Sequence, residues 1–243
     1  MKKLFILIVA VFFINGLTKA EVADTMYVMK SGSVVGIHAV ANVDSVIFYK
    51  PTLMDIDGNN YTTVKIGTQT WMVENLKVTK LNDGTPIANS GASTGFFTQA
   101  EWSALITPAR CWEGHESGAE PVGGNMLYNF YAVSSGKLAP AGWHIPTAAD
   151  WDILAATVPG VLALKLLAVG VGAGTNELGF NAPWAGGRFS WSLDYRPGGE
   201  SAYWTSTNFS DNDALSIWIR QAGISPGSST AKNSGMPVRL IKD

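Results

Sequence analysis

The order of strand and helix signals along the chain constrains its fold most. Runs of alternating apolar and polar residues occur early, at 61–73, and again late, at 202–241. The clearest helix signal lies between them, near residue 150. Because strands and helices are segregated rather than alternating, this order favours an α+β fold with an antiparallel sheet over repeated β-α-β units.

The predicted strands are short and bounded by turn residues. Asp57-Gly58-Asn59 is a turn signal, and Gly67-Thr68 joins two alternating runs, which predicts a hairpin. The predicted strands of the main domain are 61–66, 69–73, 202–206, 215–221 and 237–241. In the run at 215–221, alternation predicts that Trp218 faces outward if Ile217 and Ile219 face the core.

Two main helices are predicted. Thr147 with Asp150 three residues later precedes an apolar stripe, a capping-box pattern that indicates a helix start, and Pro159-Gly160 ends this helix. Bulky residues predict that 125–135 begins as the other helix. A second capping-box pattern, Thr98 with Glu101 three residues later, predicts a short helical segment at 98–105. The remaining predictions are a short helix at 161–169 and long irregular loops at 81–125 and 170–202.

The first twenty residues have the three parts of a secretory signal peptide. Lys2-Lys3 precedes an apolar run from 4 to 14, and small residues allow cleavage after Ala20. The run is shorter than the roughly 20 residues that span a membrane; a buried strand or a membrane anchor stays open as an alternative. The later run at 158–171 is interrupted by proline, glycine and lysine. We therefore expect an exported protein, secreted or at the cell surface, with no transmembrane segment after cleavage.

Cleavage would make the chain more acidic. Loss of Lys2, Lys3 and Lys19 changes the formal net charge from −2 to −5, which argues against nucleic acid or an anionic membrane as a partner. The single cysteine, Cys111, excludes an internal disulfide. It also lies far from the cleavage point, so a lipid anchor on a cleavage-site cysteine is not expected.

Residues 21–51 predict a small β module. Three β-branched or aromatic runs, at 26–29, 34–38 and 46–49, are separated by Gly, Ser, Asn and Asp. Pro51 marks the boundary, and the main domain is predicted to extend over 52–243.

Several segments of the main domain resemble a known family. They are Asp57-Gly58-Asn59-x-Tyr61, Ile66-Gly67-x-Gln69-x-Trp71-Met72-x-Glu74-Asn75-Leu76, Leu127-Tyr128-Asn129-x-Tyr131-Ala132, Pro140-x-Gly142-Trp143-His144-Ile145-Pro146-Thr147, Asp150-Trp151, Gly186-Gly187-Arg188, Tyr203-Trp204-Thr205-Ser206-Thr207 and Met236-Pro237-Val238-Arg239-Leu240. In this order they resemble the Fibrobacter succinogenes major paralogous domain family. The resemblance implies a fold similar to the C-type lectin-like and formylglycine-generating-enzyme group, and secreted or surface proteins of Fibrobacter and Bacteroidetes. It implies no defined biochemical role.

Metal chemistry has little support in the sequence. Asp55-x-Asp57-x-Asn59 has the alternating oxygen ligands of a calcium loop, but Asn60 and Ile66 stand where an EF-hand needs glycine and glutamate. A polar hairpin turn is the preferred interpretation. The acidic loop at 211–213, beside Asn208, is a second calcium candidate, for which a solvated loop tip is preferred. The histidines, His38, His115 and His144, show no zinc or iron spacing. We predict no metal site and no cofactor, with calcium left open.

Catalytic chemistry also lacks a complete motif. Cys111 and His115 form a conceivable nucleophile pair without an orienting third group. The formylglycine-generating enzymes use a pair of cysteines, and this chain has one. Paired carboxylates for glycoside cleavage stay possible among Glu113, Glu116, Glu120, Asp150, Asp194 and Glu200. The chain is therefore predicted to be more a binding module than an enzyme.

Aromatic residues supply the best binding candidates. Trp71, Trp143 and Trp151 are predicted to be core residues. The aromatic residues placed in loops or facing outward are Trp112, Trp184, Trp191, Tyr195 and Trp218. Aromatic faces stack on sugars, while polar neighbours set orientation. The polar candidates are Glu113, Arg188, Asn208 and Asp211.

These observations predict a secreted α+β domain of C-type lectin-like architecture that acts as a non-catalytic recognition or adhesion module. Its expected ligand is an extracellular polysaccharide or a cell-surface protein. The alternatives are a diverged extracellular hydrolase or oxidase of the same fold group, and a structural component of the envelope. Convergence of Cys111, Glu113, His115 and Arg188 in one pocket would favour an enzyme.

Overall fold

The computed structural model describes residues 25–30, 33–39, 53–89, 97–113, 124–157, 162–189, 192–195 and 200–243. The chain divides into two compact units, Met1–Lys50 and Pro51–Asp243. In the first unit, β1 (Thr25–Lys30) pairs antiparallel with β2 (Ser33–Ala39). The predicted signal peptide at 1–20 and the predicted third strand at 46–49 lie outside the described residues.

The second unit begins with strands and mixes them with short helices. Its first elements are β3 (Leu53–Met54), β4 (Asn60–Tyr61), β5 (Thr63–Ile66), β6 (Gln69–Met72), α1 (Gln99–Ser103), β7 (Arg110–Trp112), β8 (Met126–Asn129) and α2 (Phe130–Val133). The later elements are β9 (Trp143–His144), α3 (Ala148–Thr157), α4 (Leu162–Leu166), β10 (Gly187–Phe189), β11 (Ser192–Tyr195), β12 (Glu200–Asn208), β13 (Asp213–Arg220), β14 (Gly223–Ala231), β15 (Gly235–Met236) and β16 (Ile241–Lys242).

The strands of this unit pair antiparallel. One sheet has the order β11-β10-β15-β8-β7, a second β12-β13-β14, a third β5-β6-β16-β9, and β3 pairs with β4. The hairpin of β5 and β6 and the last strand, β16, therefore meet in one sheet. The architecture is a β-rich α+β fold with antiparallel sheets, as the order of signals predicts.

The hairpin of β5 and β6 forms where it is predicted. Thr63 pairs with Met72, and the turn at Gly67 has φ 60°, a conformation that favours glycine. A side chain on Gly67 would place its first carbon 2.6 Å from Cγ2 of Thr157 at the end of α3. The turn is therefore glycine both for its backbone angle and for its contact with the helix.

Two predicted capping boxes are confirmed. Thr98 Oγ1 accepts from the Glu101 N–H, while the Glu101 carboxylate accepts from the Thr98 N–H over 2.8 Å, at the start of α1. At α3, the Thr147 N–H donates to Asp150 Oδ2 over 2.8 Å, and the Asp150 N–H donates to Thr147 Oγ1 over 3.2 Å. These reciprocal bonds satisfy amides that a helix start leaves unpaired.

The helix prediction at 125–135 is wrong in its first half. β8 occupies Met126–Asn129, is fully buried and pairs with both β7 and β15. The helix begins only after Asn129, whose side chain accepts from the Ala132 N–H over 3.1 Å as an N-cap. α2 then has four residues, so α3 is the one long helix among the described residues.

Other predicted boundaries shift as well. The strand predicted at 237–241 is replaced by the short strands β15 and β16 on either side of it. The loop predicted at 170–202 contains β10 and β11. The short helix predicted at 161–169 is confirmed as α4.

The sheet β12-β13-β14 lies between two groups of buried side chains. One group includes Ala202, Trp204, Ala214 and Trp218, and the other includes Tyr203, Ile217 and Ile219. The prediction that Trp218 faces outward is therefore wrong, since its side chain is 9% exposed. Alternation in this central strand separates two apolar groups rather than a core from solvent.

The predicted core tryptophans Trp71, Trp143 and Trp151 are buried. The centres of the Trp71 and Trp151 rings lie 4.8 Å apart, so this contact packs β6 against α3.

Within the described ranges, no helix has the length and apolar character to cross a bilayer.

Candidate functional site

Trp184 presents its ring at the surface from a fixed backbone. It is 41% exposed, more than any other tryptophan in the described ranges. On one side Ser201 Oγ donates to the Pro183 carbonyl, and on the other the Ala202 N–H donates to the Ala185 carbonyl over 2.9 Å. The loop 183–186 is thus attached to β12, and the ring projects from a rigid frame.

Glu113 holds the same loop through its carboxylate. It is 4% exposed. Its Oε1 accepts from the Gly186 N–H over 2.8 Å, and its Oε2 accepts from Asn125 Nδ2 over 2.7 Å. A buried carboxylate requires such donors. Glu113 is therefore a positioning residue for the loop 183–186, whereas the sequence predicts a surface contact to ligand.

Gly172 and Gln221 lie beside the Trp184 ring. A side chain on Gly172 would place its first carbon 3.0 Å from Cζ2 of Trp184 and 2.5 Å from Nε2 of Gln221. The glycine, with φ 56°, therefore allows the ring and the amide to approach one another. Because Gln221 is exposed, the site combines an accessible aromatic surface with a hydrogen-bonding amide. We refer to these three residues as the Trp184 site.

Arg188 lies four residues further along, in β10, but its side chain is 4% exposed. Nη2 donates to the Phe97 carbonyl over 2.6 Å, and the guanidinium lies 4.8 Å from the centre of the Trp102 ring. Arg188 therefore contacts α1 and the segment before it, in the interior.

The two remaining aromatic candidates pack inward. Trp112 is half-buried against the core. Trp218 stacks on Phe189 with ring centres 6.0 Å apart and lies 5.6 Å from the Arg220 guanidinium. Trp191 lies outside the described residues, as does the side chain of Tyr195.

Asn208 and Asp211 are exposed at the hairpin between β12 and β13. The Asp211 carbonyl accepts from Lys232 Nζ over 2.9 Å. Asn208 is six residues along β12 from Ala202, which corresponds to about 20 Å in a strand. The structure therefore does not bring this hairpin to the Trp184 site.

The described members of the proposed catalytic group are all buried. Cys111 belongs to the apolar cluster that contains Trp102, and the Arg188 guanidinium stacks on Trp102. Glu113 instead bonds to Asn125 and the loop 183–186. His115, Glu116 and Glu120 lie outside the described residues, as does the side chain of Asp194.

The acidic turn at 55–59 uses its oxygens internally. Asp55 accepts from the amides of Asp57 and Asn59, from Asn59 Nδ2 and, over 2.6 Å, from the Tyr61 hydroxyl. These four bonds match the polar-turn interpretation. The ring of His144 lies between two carboxylates: its Nδ1 is 2.7 Å from Asp243 Oδ1, and its Nε2 is 3.5 Å from Asp150 Oδ2.

Arg239 is a buried charged side chain whose structural role was not predicted from residue types. Its Nε donates to Asn75 Oδ1 over 2.8 Å, its Nη2 donates to the Asn181 carbonyl over 3.0 Å, and its Nη1 donates to the Phe180 carbonyl. The guanidinium also stacks on Phe180 and Tyr203. Burial lowers the pKa of Arg239 and raises the pKa of Tyr203. The sequence does contain a signal for Arg239: it is the one charged residue in the otherwise apolar run 236–241.

A chain of side-chain bonds links Arg239 to the loop 183–186. Asn75 Nδ2 donates to Asn125 Oδ1 over 2.7 Å, and Asn125 in turn donates to Glu113. The path Arg239–Asn75–Asn125–Glu113 therefore connects the C-terminal segment to the backbone that carries Trp184.

Residues 64–242 match the Fibrobacter succinogenes major domain. The chain belongs to this family. No curated protein and no solved structure matches the chain. Several of the residues that carry the resemblance to this family are buried in the core, including Trp71, Trp151, Trp204 and Arg239.

Proposed function

We propose that this protein is an exported, non-catalytic recognition module of C-type lectin-like architecture that binds extracellular polysaccharide at the Trp184 site. The observation that carries the proposal is the accessible Trp184 ring on a backbone held at Pro183, Ala185 and Gly186. A fixed ring loses little conformational freedom on binding, which favours affinity.

Sugar rings are a suitable ligand class for this site. Their C–H faces stack on aromatic rings, and their hydroxyl groups bond to planar amides such as that of Gln221. The signal-peptide pattern at 1–20 supports export of the protein, and outside the cell it would encounter polysaccharides. The antiparallel sheets with long connecting segments are in keeping with the lectin-like architecture.

Affinity electrophoresis and calorimetry against a panel of neutral and acidic polysaccharides test the proposal. For a polysaccharide that binds, we expect Trp184→Ala to weaken affinity about tenfold or more, because central aromatic contacts contribute at least about 1.4 kcal/mol. Gln221→Ala should weaken it less, since the stacking surface is retained.

Phe209→Ala is the matched control. Phe209 is an aromatic residue, 61% exposed, near the end of β12 that is remote from Ala202. Its removal should leave affinity unchanged. Equal losses for Trp184→Ala and Phe209→Ala, or no binding to any polysaccharide in the panel, would contradict the proposal.

A further inference from the structure

A second cluster of polar side chains lies between α1, β10 and the turn before β15. Gln99 Nε2 donates to the backbone of β10 over 2.5 Å and to Ser103 Oγ over 3.3 Å. Asn233 Nδ2 donates to the Ser103 carbonyl over 2.7 Å. Arg188 pairs with Gly235 across the β10–β15 ladder. These contacts bring the three segments together around the Arg188 side chain, and we call this group the Arg188 cluster.

Five polar atoms of the Arg188 cluster are buried without a hydrogen-bond partner. They are Gln99 Oε1, Trp102 Nε1, Arg188 Nε, Asn233 Oδ1 and Ser234 Oγ. They make up five of the nine such side-chain atoms in the described ranges. Because native proteins pair most of their buried polar atoms, this concentration requires an explanation, and one explanation is a ligand.

Arg188 makes the cluster cationic. Its side chain is 96% buried, and no carboxylate in the described part of the chain lies within ion-pair distance of it. Buried arginines are normally paired with an anion or bonded through all their nitrogens. Arg239 shows the second arrangement, and Arg188 shows neither.

We infer that the Arg188 cluster binds a carboxylate that carries neighbouring hydroxyl groups, as a uronic acid does. The N–H groups of Arg188 Nε and Trp102 Nε1 and the hydroxyl of Ser234 are donors suited to carboxylate oxygens. The amide oxygens of Gln99 and Asn233 accept from ligand hydroxyls. A bare anion would leave both amide oxygens unpaired.

Gln99, Ser103 and Asn233 are half-buried, so the cluster lies close to the surface. Because its five unpaired atoms are buried, these side chains must shift to admit the carboxylate, while the rest of the ligand stays at the surface. The inference concerns a site other than the Trp184 site, and it does not depend on the proposed function.

Thermal unfolding of the purified protein tests the inference. Glucuronate should raise Tm by about 2–4 °C with a saturating dose dependence, because a ligand that binds only the folded state stabilises it. Glucose with sodium chloride at matched ionic strength should give no shift, and acetate should give a smaller one. A shift with glucose as large as with glucuronate overturns the carboxylate requirement, and an equal shift with acetate overturns the hydroxyl requirement.

Two variants locate the effect. Arg188→Met should abolish the glucuronate shift, whereas Arg220→Met, which removes a half-exposed arginine paired with Glu200, should retain it. Retention of the full shift in Arg188→Met overturns the inference. Trp184→Ala should also retain the shift, which separates this site from polysaccharide binding at the Trp184 site.

A measurement on the unsubstituted protein covers the case in which Arg188→Met does not fold. Glucuronate should move an arginine Nε–H resonance and a tryptophan indole N–H resonance in side-chain ¹⁵N spectra, with glucose as the control. Unchanged resonances at saturating glucuronate overturn the inference.

Discussion

Two buried arginines, Arg188 in β10 and Arg239 between β15 and β16, both stack on aromatic rings but differ in their hydrogen bonds. Arg239 has an oxygen acceptor for each of its three nitrogens. Arg188 has one acceptor, the Phe97 carbonyl, and its Nε is unpaired. Similar burial thus accompanies two different roles. The Arg239 region is complete within the fold, while the Arg188 region has unused donors and acceptors.

The difference teaches that burial alone does not identify a structural arginine. A buried charge destabilises the folded state unless its donors are used, so a fully bonded guanidinium contributes to stability. A buried guanidinium with unpaired N–H donors lowers the stability of the folded state. Sites that break a folding rule in this way are often functional. The comparison therefore makes predictions about stability as well as binding.

The largest effect is expected for Arg239→Met. The substitution leaves the carbonyls of Phe180 and Asn181 and the amide oxygen of Asn75 without their donor. Loss of the donor to the buried Phe180 carbonyl costs about 1–3 kcal/mol, the two part-buried acceptors add to this, and the stacking on Phe180 and Tyr203 is lost as well. The free energy of unfolding should therefore fall by about 3 kcal/mol or more. Urea unfolding monitored by tryptophan fluorescence measures the change.

Arg188→Met is the matched control in the same experiment. It leaves one carbonyl unpaired but removes an underpaired buried charge, and the two effects oppose each other. Its free energy of unfolding should stay within about 1 kcal/mol of the unsubstituted protein. Equal destabilisation by the two variants would show that the two arginines have the same structural role.

An intermediate effect is expected for Glu113→Gln. The substitution places an amide nitrogen against either the Gly186 N–H or Asn125 Nδ2, so one donor loses its acceptor. We expect a loss of about 1–3 kcal/mol in unfolding free energy. Affinity at the Trp184 site should also fall although Trp184 itself is unchanged, because the loop 183–186 loses a fixed point.

Glu74→Gln is the control for Glu113→Gln. Glu74 is an exposed carboxylate that accepts from the Thr62 N–H over 2.8 Å and from Thr62 Oγ1 over 2.7 Å. Since water can replace these bonds, the change should be below about 1 kcal/mol, with no effect on binding. Unaltered polysaccharide affinity in Glu113→Gln would remove the link between the buried carboxylate and the Trp184 site.

Features encoded by residues close in sequence are predictable from the chain. The capping boxes at Thr98 and Thr147 depend on residues three apart, and the hairpin at Gly67 depends on the turn and its two flanking runs. The antiparallel α+β class follows from the order of these local signals. The family could be recognised because its motif residues lie in such segments.

Features created by distant contacts are not predictable in the same way. Glu113 meets Gly186 across 73 positions, and Arg239 meets Asn75 across 164. The run at 126–129 has no apolar–polar alternation because all four residues of β8 are buried, so both faces of the strand are covered. The exposure of Trp184 and the burial of Trp218 likewise depend on which segments cover them. Residue types alone therefore identify candidate site residues but do not show which of them lie at the surface and which in the interior.

The smallest effect is expected for Tyr203→Phe, and it sharpens the comparison within the Arg239 region. The Tyr203 hydroxyl is buried and makes no hydrogen bond of normal geometry, although its ring stacks on Arg239 and the side chains of Asn75 and Arg239 are its polar neighbours. Removing it deletes at most a poorly aligned contact with these two side chains, so the free energy of unfolding should be unchanged or rise by up to about 1 kcal/mol. Tyr61→Phe is the control, because the Tyr61 hydroxyl donates to Asp55 over 2.6 Å and accepts from the Lys77 N–H over 3.1 Å. That variant should lose about 1–3 kcal/mol. If Tyr203→Phe loses as much as Tyr61→Phe, the Tyr203 hydroxyl is bonded in solution, and Arg239 or Asn75 would then be the partner.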